Sequence, residues 1–155
     1  MENKSQSPNV LNFCKISDKA IVPKRATEGS AGMDLCACID KDMILEPGKR
    51  ALVPTGIAIS LSKKDYAAFI FARSGLAVKH GISLSNGVGV IDSDYRGEIR
   101  VGLCNLGEEP YTIKPGERIA QMVIMKVENF NLRQVDKLDS TERGEGGFGS
   151  TGKQF

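Results

Sequence analysis

A chain of 155 residues with 41% hydrophobic content suits one compact domain, spanning 1–155, that buries roughly two-thirds of the surface its unfolded form would expose. Lys and Arg number 21 against 19 Asp and Glu, a net charge of +2, so no strong field selects nucleic acid or an anionic membrane as partner, while a small phosphorylated ligand stays compatible. No apolar run is long enough to span a bilayer, and Met1 to Asn12 lacks the basic-then-apolar order of a secretory signal.

In chain order, residues 1–15 read as a loose N-terminal extension followed by the first strand. The four cysteines, at 14, 36, 38 and 104, have no paired C-x-x-C spacing, and the chain is large enough to fold without disulfides. They are expected to be reduced, which places the protein in the cytoplasm. Cys36 and Cys38 are expected on one face of a strand, and with His80 as the only histidine they complete no zinc set. Short stretches rich in Val, Ile and Phe then recur between Gly and Pro: Ala51–Leu61, Tyr66–Ala72, Glu98–Asn105 and Arg118–Val127. This pattern predicts an all-β sandwich or barrel. Apolar alternation in Ile99-Arg100-Val101-Gly102-Leu103 buries one face of a strand, and Glu46-Pro47-Gly48 and Lys114-Pro115-Gly116-Glu117 supply hairpin or corner turns. A helix is conceivable over Glu128–Leu138. From about residue 140 the chain turns polar and glycine-rich, predicting a mobile tail.

Three segments carry chemistry. Arg73-Ser74-Gly75 follows the apolar strand directly, and a strand end is a rigid mount: Arg73 can pair with phosphate oxygens, Ser74 can donate, and Gly75 lets a backbone N–H approach closely. A Ser74 nucleophile would need a base, for which His80, in an expected loop, is the only histidine. Asn86-Gly87 is a strong hairpin signal, and Asp94-Tyr95-Arg96-Gly97 is a second turn candidate. Hairpin amides and carbonyls can read a pyrimidine edge, with Asp92 as a carboxylate and Tyr95 as a flat wall. Solvated turn carboxylates, or direct Mg²⁺ ligation by Asp92 and Asp94, are the alternatives. In the tail, the run Gly144 to Gly152 is rich in uncovered backbone N–H groups, while Arg143 and Phe148 offer a cation and a stacking face. Gly147 to Lys153 fits most of a G-x-x-x-x-G-K-[ST] phosphate loop, but Gln154 replaces the hydroxyl residue and that reading fails.

Five motifs stand in order: Ala31-Gly-Met-Asp34-Leu, Arg73-Ser74-Gly75-Leu-Ala, Gly89-Val-Ile-Asp92-Ser-Asp94-Tyr95-Arg96-Gly97-Glu98, Pro115-Gly-Glu-Arg118-Ile-Ala-Gln121, and Arg143-Gly-Glu-Gly-Gly-Phe148-Gly149-Ser150-Thr-Gly152. With them the sequence resembles the trimeric dUTPase family over nearly its whole length. It departs from the family pattern at Ala72, where Pro is usual.

The resemblance implies a jelly-roll-like β fold with a flexible glycine-rich C-terminal tail, and a homotrimer whose active sites are shared between subunits. The implied reaction is hydrolysis of dUTP to dUMP and pyrophosphate by water attacking the α-phosphorus, with Mg²⁺ as cofactor; it keeps uracil out of DNA and supplies dUMP for thymidylate synthesis. By the same resemblance, Asp92 would activate the water. Asn86, Gly89, Val90 and Ile91 would read uracil, and Tyr95 would lie against the deoxyribose. Arg73, Ser74, Gly75 and Gln121 would bind phosphates, Asp34 would act on Mg²⁺ through its waters, and Arg100 would touch substrate. Phe148 would stack on the base while Arg143, Gly149 and Ser150 close over the γ end. The rivals are a deaminase relative acting on dCTP and a non-catalytic trimer that binds dUTP and signals.

Overall fold

The computed structural model describes residues 10–147. Its first half forms β1 (Leu11–Lys15), β2 (Met33–Cys36), β3 (Met43–Leu45), β4 (Arg50–Pro54), β5 (Ile57–Leu61) and β6 (Tyr66–Phe71). A single helix follows among the described residues, α1 (Ser74–His80), and then β7 (Ile82–Leu84), β8 (Gly89–Ile91), β9 (Arg100–Asn105), β10 (Tyr111–Ile113) and β11 (Arg118–Lys126).

Every strand pairing is antiparallel. One sheet runs in the order β2-β11-β6-β8 and another β4-β9-β7, flanked by the pairs β1-β5 and β3-β10. These small sheets wrap one core in a jelly-roll-like arrangement, the architecture expected from the sequence. Alternation becomes register in β9, where Val101 and Leu103 are buried and Arg100 is exposed. Leu35, Val53, Ile57, Ile99, Ile113 and Met122 are fully buried from several sheets, forming one continuous core.

The Pro-Gly turns both form, with Lys49 N–H donating to the Glu46 carbonyl at 3.0 Å and Glu117 N–H to Lys114 at 3.1 Å. Each joins strands of different sheets and is a corner rather than a hairpin. Two buried polar side chains tie separate segments together. Asn105 donates to the carbonyls of Leu45 at 2.9 Å and Glu109 at 2.8 Å and accepts from Gly107 N–H at 2.9 Å, while Thr55 donates to the Ile99 carbonyl at 2.6 Å.

Several expectations are corrected. The stretch Ala51–Leu61 is two strands, broken at Thr55-Gly56, where Gly56 takes φ 66 and a Cβ would strike Ala20 and Cys38. No helix forms over 128–138: Phe130, Leu132, Val135 and Leu138 are all exposed, so the segment has no apolar face against the core to stabilise one. Conversely, the expected loop after Arg73 is α1, and His80 is its last residue. The Asn86-Gly87 turn exists, with Gly87 N–H donating to Leu84 at 3.2 Å, yet it is not a two-strand hairpin, because β7 pairs with β9 and β8 with β6. Cys38 lies beyond the end of β2 rather than in it, and all four cysteines are free. Residues 1–9 and 148–155 lie outside the described residues, and with them the roles expected of Phe148, Gly149 and Ser150.

Candidate active site

The sheet brings three motifs to one place. Asp34 on β2 faces Gln121 on β11, which in turn faces Phe71 at the end of β6, so Arg73 emerges beside the Asp34-Gln121 pair. Gly32, Asp34, Arg73, Ser74, Gly75 and Gln121 line a cleft of about 310 Å³. Gln121 donates from Nε2 to the Ala72 carbonyl at 3.0 Å, tying down the loop at the position where Pro was expected. Since the tie uses the backbone carbonyl, Ala72 supports it without a ring.

Asp34 is mostly shielded and carries two cations. Arg73 Nε donates to Oδ1 at 3.0 Å, and Arg118 Nη1 to Oδ2 at 3.1 Å. Arg73 Nη1 also donates to the Arg118 carbonyl at 3.2 Å. The cluster therefore carries one net positive charge beside the cleft. Below it, burial pushes the Cys36 thiol up, and the Asp34 carboxylate adds to the shift, so Cys36 stays protonated and inert.

The second group gathers on β8 and β9. Ile70, Asn86, Gly89, Val90, Ile91 and Arg100 border a narrow cleft of about 100 Å³. Ile91 and Arg100 also line an adjoining, wider cleft of about 390 Å³ with Tyr95 and Glu98. Asp92 leaves β8 into a turn closed by Tyr95 N–H donating to its carbonyl at 3.2 Å. Its carboxylate is exposed and has no hydrogen-bond or ion-pair partner among the described residues. The hydroxyl end of the Tyr95 ring packs against Gly97, where any Cβ would collide with it, and the hydroxyl donates to the Glu98 carbonyl at 3.0 Å. Glu98 accepts from Gly56 N–H and from Arg100 Nε, both at 2.8 Å, which fixes the Arg100 guanidinium.

Among the described residues of one chain, the phosphate-type cleft and the Asn86 cleft share no lining residue. Arg143 joins neither; its Nε donates to the Gly146 carbonyl at 2.9 Å inside its own loop. Arg118 and Glu98 hold these clefts together, yet the sequence alone gave them no role: their contacts arise from strand pairing, and the only signal was their presence inside the fourth and third motifs. A further apolar cleft of about 360 Å³, bordered by Arg25, Met33, Tyr66 and Ile124, contains none of the predicted site residues that lie among the described ones.

The family model described as dUTPase matches residues 18–152. The chain belongs to the dUTPase family. It is 56% identical over 131 residues to the deoxyuridine 5'-triphosphate nucleotidohydrolase of Neisseria gonorrhoeae (strain NCCP11945), covering 84% of this chain and 87% of that one. Against the same-named protein of Sodalis glossinidius the identity is 51% over 140 residues, 90% of this chain and 93% of the relative. The structure of Staphylococcus bacteriophage 80alpha dUTPase with dUPNHPP superposes with a TM-score of 0.85 at 29% identity, covering 94% of this chain and 99% of that one. The dUTPase of phage phi11 of S. aureus, described with a structural Mg(II) ion, shares the fold at TM-score 0.77 and 24% identity, covering 85% and 100%.

A metal would find little direct ligation in this dUTPase-family chain. Among the described residues no group of three or more His, Cys, Asp or Glu could hold an ion. Mg²⁺ keeps several waters and commonly takes its other oxygens from substrate phosphates, so the single Asp34 carboxylate at the cleft fits a contact through water.

Proposed function

We propose that the protein hydrolyses dUTP to dUMP and pyrophosphate, limiting uracil in DNA and supplying dUMP for thymidylate synthesis. The observation that carries this reading is the presence, within a dUTPase-family chain, of an Arg73-Ser74-Gln121 cleft and of an Asn86 cleft lined by Ile91, the residue before the exposed Asp92, which has no partner among the described residues. Phosphoanhydride hydrolysis asks for positioning and charge neutralisation more than covalent chemistry. Arg73, Ser74, Gly75 and Gln121 bind the phosphate chain. Asn86, with the backbone of Gly89, Val90 and Ile91, reads the uracil edge, and Arg100, fixed by Glu98, borders the same cleft.

Asp92 accepts the proton of the attacking water, a general-base contribution of about 10²–10⁴-fold. Mg²⁺ supplies charge neutralisation on the phosphate chain when bound, with Asp34 holding its waters. Tyr95 closes the sugar side against a 2′-hydroxyl. A base with cytosine's donor pattern leaves buried groups unpaired, a penalty of roughly 10⁴–10⁵-fold.

From the family resemblance, the complete site is assembled in a homotrimer from different subunits, and the separate linings of the two clefts among the described residues of one chain agree with that. Arg143, Phe148, Gly149 and Ser150 close over the substrate. The four free thiols suit a reducing compartment, the cytoplasm. No helix among the described residues is long and apolar enough to cross a membrane.

The test is pyrophosphate release from each nucleotide, with Mg²⁺ and with EDTA. Release from dUTP with Mg²⁺ should far exceed that from dCTP, dTTP or UTP, and EDTA should suppress it. Equal rates for all four nucleotides would refute the reading.

A further inference from the structure

β11 pairs with β2 through a one-residue irregularity: Arg118 lies opposite Cys36, Ala120 opposite Leu35 and Gln121 opposite Asp34. In a regular strand, residues three apart point to opposite faces. The bulge cancels that half-step, so Arg118 and Gln121 both reach the face of β2 that carries Asp34, one diagonally and one directly. Bulges re-aim side chains, and here the result is a carboxylate shared between two guanidiniums.

The sharing has an electrostatic consequence for Arg73. An Arg-carboxylate pair left to itself tends to close as a two-point fork, which consumes two donors and cancels the charge. Arg118 occupies Oδ2 of Asp34, leaving Oδ1 to meet Arg73 at Nε alone. The Arg118 carbonyl takes Nη1 and sets the guanidinium plane, while Nη2 has no partner among the described residues.

We propose that Arg118 is a positioning residue for the phosphate site: it holds Asp34 away from a full pairing with Arg73, so that Arg73 keeps both its orientation and its net charge for an anion. The inference rests on the dUTP reading for the identity of that anion, but the clamp itself is testable with a phosphate ligand alone.

The experiment uses the full-length protein as wild type, Arg118→Gln, Arg118→Lys, and the double variant Asp34→Asn with Arg118→Gln. Calorimetric affinities are measured in EDTA for inorganic pyrophosphate, for the α,β-imido analogue of dUTP, and for deoxyuridine, with melting temperatures alongside. The Arg118 side chain is about half exposed, so folding is not at stake in the conservative variants. Arg118→Gln should weaken the two phosphate ligands about tenfold, the scale of one charge-assisted hydrogen bond, and leave deoxyuridine within about twofold. Arg118→Lys should fall between. The double variant decides the mechanism: without the Asp34 charge nothing pulls Arg73 out of line, so affinity for pyrophosphate should recover relative to Arg118→Gln.

Unchanged phosphate affinity in Arg118→Gln, an equal loss for deoxyuridine, a double variant weaker than the single one, or a wild type that binds no phosphate ligand would each overturn the proposal. Wild-type protein that shows Arg118-dependent pyrophosphate binding but no dUTP hydrolysis would instead refute the substrate reading and leave the clamp standing.

Discussion

The Tyr95 hydroxyl donates to the Glu98 carbonyl at 3.0 Å, closing a loop in which the phenol ring covers Gly97. The ring is thus held at both ends, by its backbone turn with Asp92 and by its own hydroxyl. A rigid wall rejects an added group because the wall cannot move aside cheaply. Replacing Tyr95 by Ala should therefore relax the preference for dUTP over UTP, and Tyr95→Phe, which keeps the ring but frees its tip, should relax it less. The check is the ratio of kcat/KM for the two nucleotides; an unchanged ratio in Tyr95→Ala would place sugar discrimination elsewhere.

Asp92 follows Ile91, which lines both the Asn86 cleft and the wider one, and it is exposed without a partner among the described residues, free to meet a water in the role of base proposed for it. Asp92→Asn keeps the shape and removes the proton acceptor. Its kcat should fall by at least about 10²-fold while binding of the α,β-imido analogue stays nearly intact, because a base acts chiefly in the transition state. Near-normal kcat in steady-state assays would move the base to another residue.

Asn105 is fully buried and satisfies two carbonyls and one amide. Truncation to Ala strands those groups away from water. A loss of about 2–4 kcal/mol of unfolding free energy is expected, since each orphaned buried group costs on the order of 1–3 kcal/mol and local relaxation recovers part. Denaturant unfolding measures it. Because Asn105 borders neither cleft, activity below the unfolding transition should be retained.

Tyr111 provides a pH signature. Burial pushes its phenol up to about 12 from 10.0, helped by the neighbouring Glu117 carboxylate to which it donates. A raised phenol pKa favours the protonated, folded form, so its contribution is complete below pH 10.0 and is lost as the pH rises through about 12. Stability of the wild type should fall across that window more steeply than that of Tyr111→Phe, read from melting temperatures between the two pH values. Parallel curves would mean that the phenol is as free in the folded chain as in the unfolded one.

The parts of the fold that were legible in the sequence are those with local causes. Alternation marked β9, and Pro-Gly pairs marked the two corners, because strand period and turn geometry are both short-range. Helix α1 was not legible: its seven residues bury only Leu76, too little periodicity to distinguish it from a polar loop. The reverse error came from Phe130, Leu132, Val135 and Leu138, whose spacing allowed a helix although no core surface receives them. In the site, motif residues could be recognised, but their connections could not. Asp34 meets Arg73 across 39 positions and Arg118 across 84, and the bulge that aligns Arg118 with Gln121 exists only once β2 and β11 are paired.

The last expectation concerns how a complete site is assembled. Among the described residues of one chain, the Arg73 cleft and the Asn86 cleft share no lining residue, and Arg143 engages its own loop. The segment from 128 to 147 forms no strand or helix and exposes Phe130, Leu132 and Leu138, so these apolar side chains do not anchor it to the core of its own chain. Ordering a glycine-rich terminus is costly without contacts, and substrate on a neighbouring subunit can supply them. Consider one variant carrying Asp92→Asn and another truncated after Ser140, each nearly inactive, with their subunits allowed to exchange. If base and tail come from different chains, some mixed sites combine an intact Asp92 with an intact tail, and activity should reappear on mixing. If both come from one chain, every site lacks one or the other and no mixture recovers. Subunit exchange followed by native mass spectrometry alongside the assay separates the two cases, and persistent inactivity in confirmed mixed trimers would rule out the shared site.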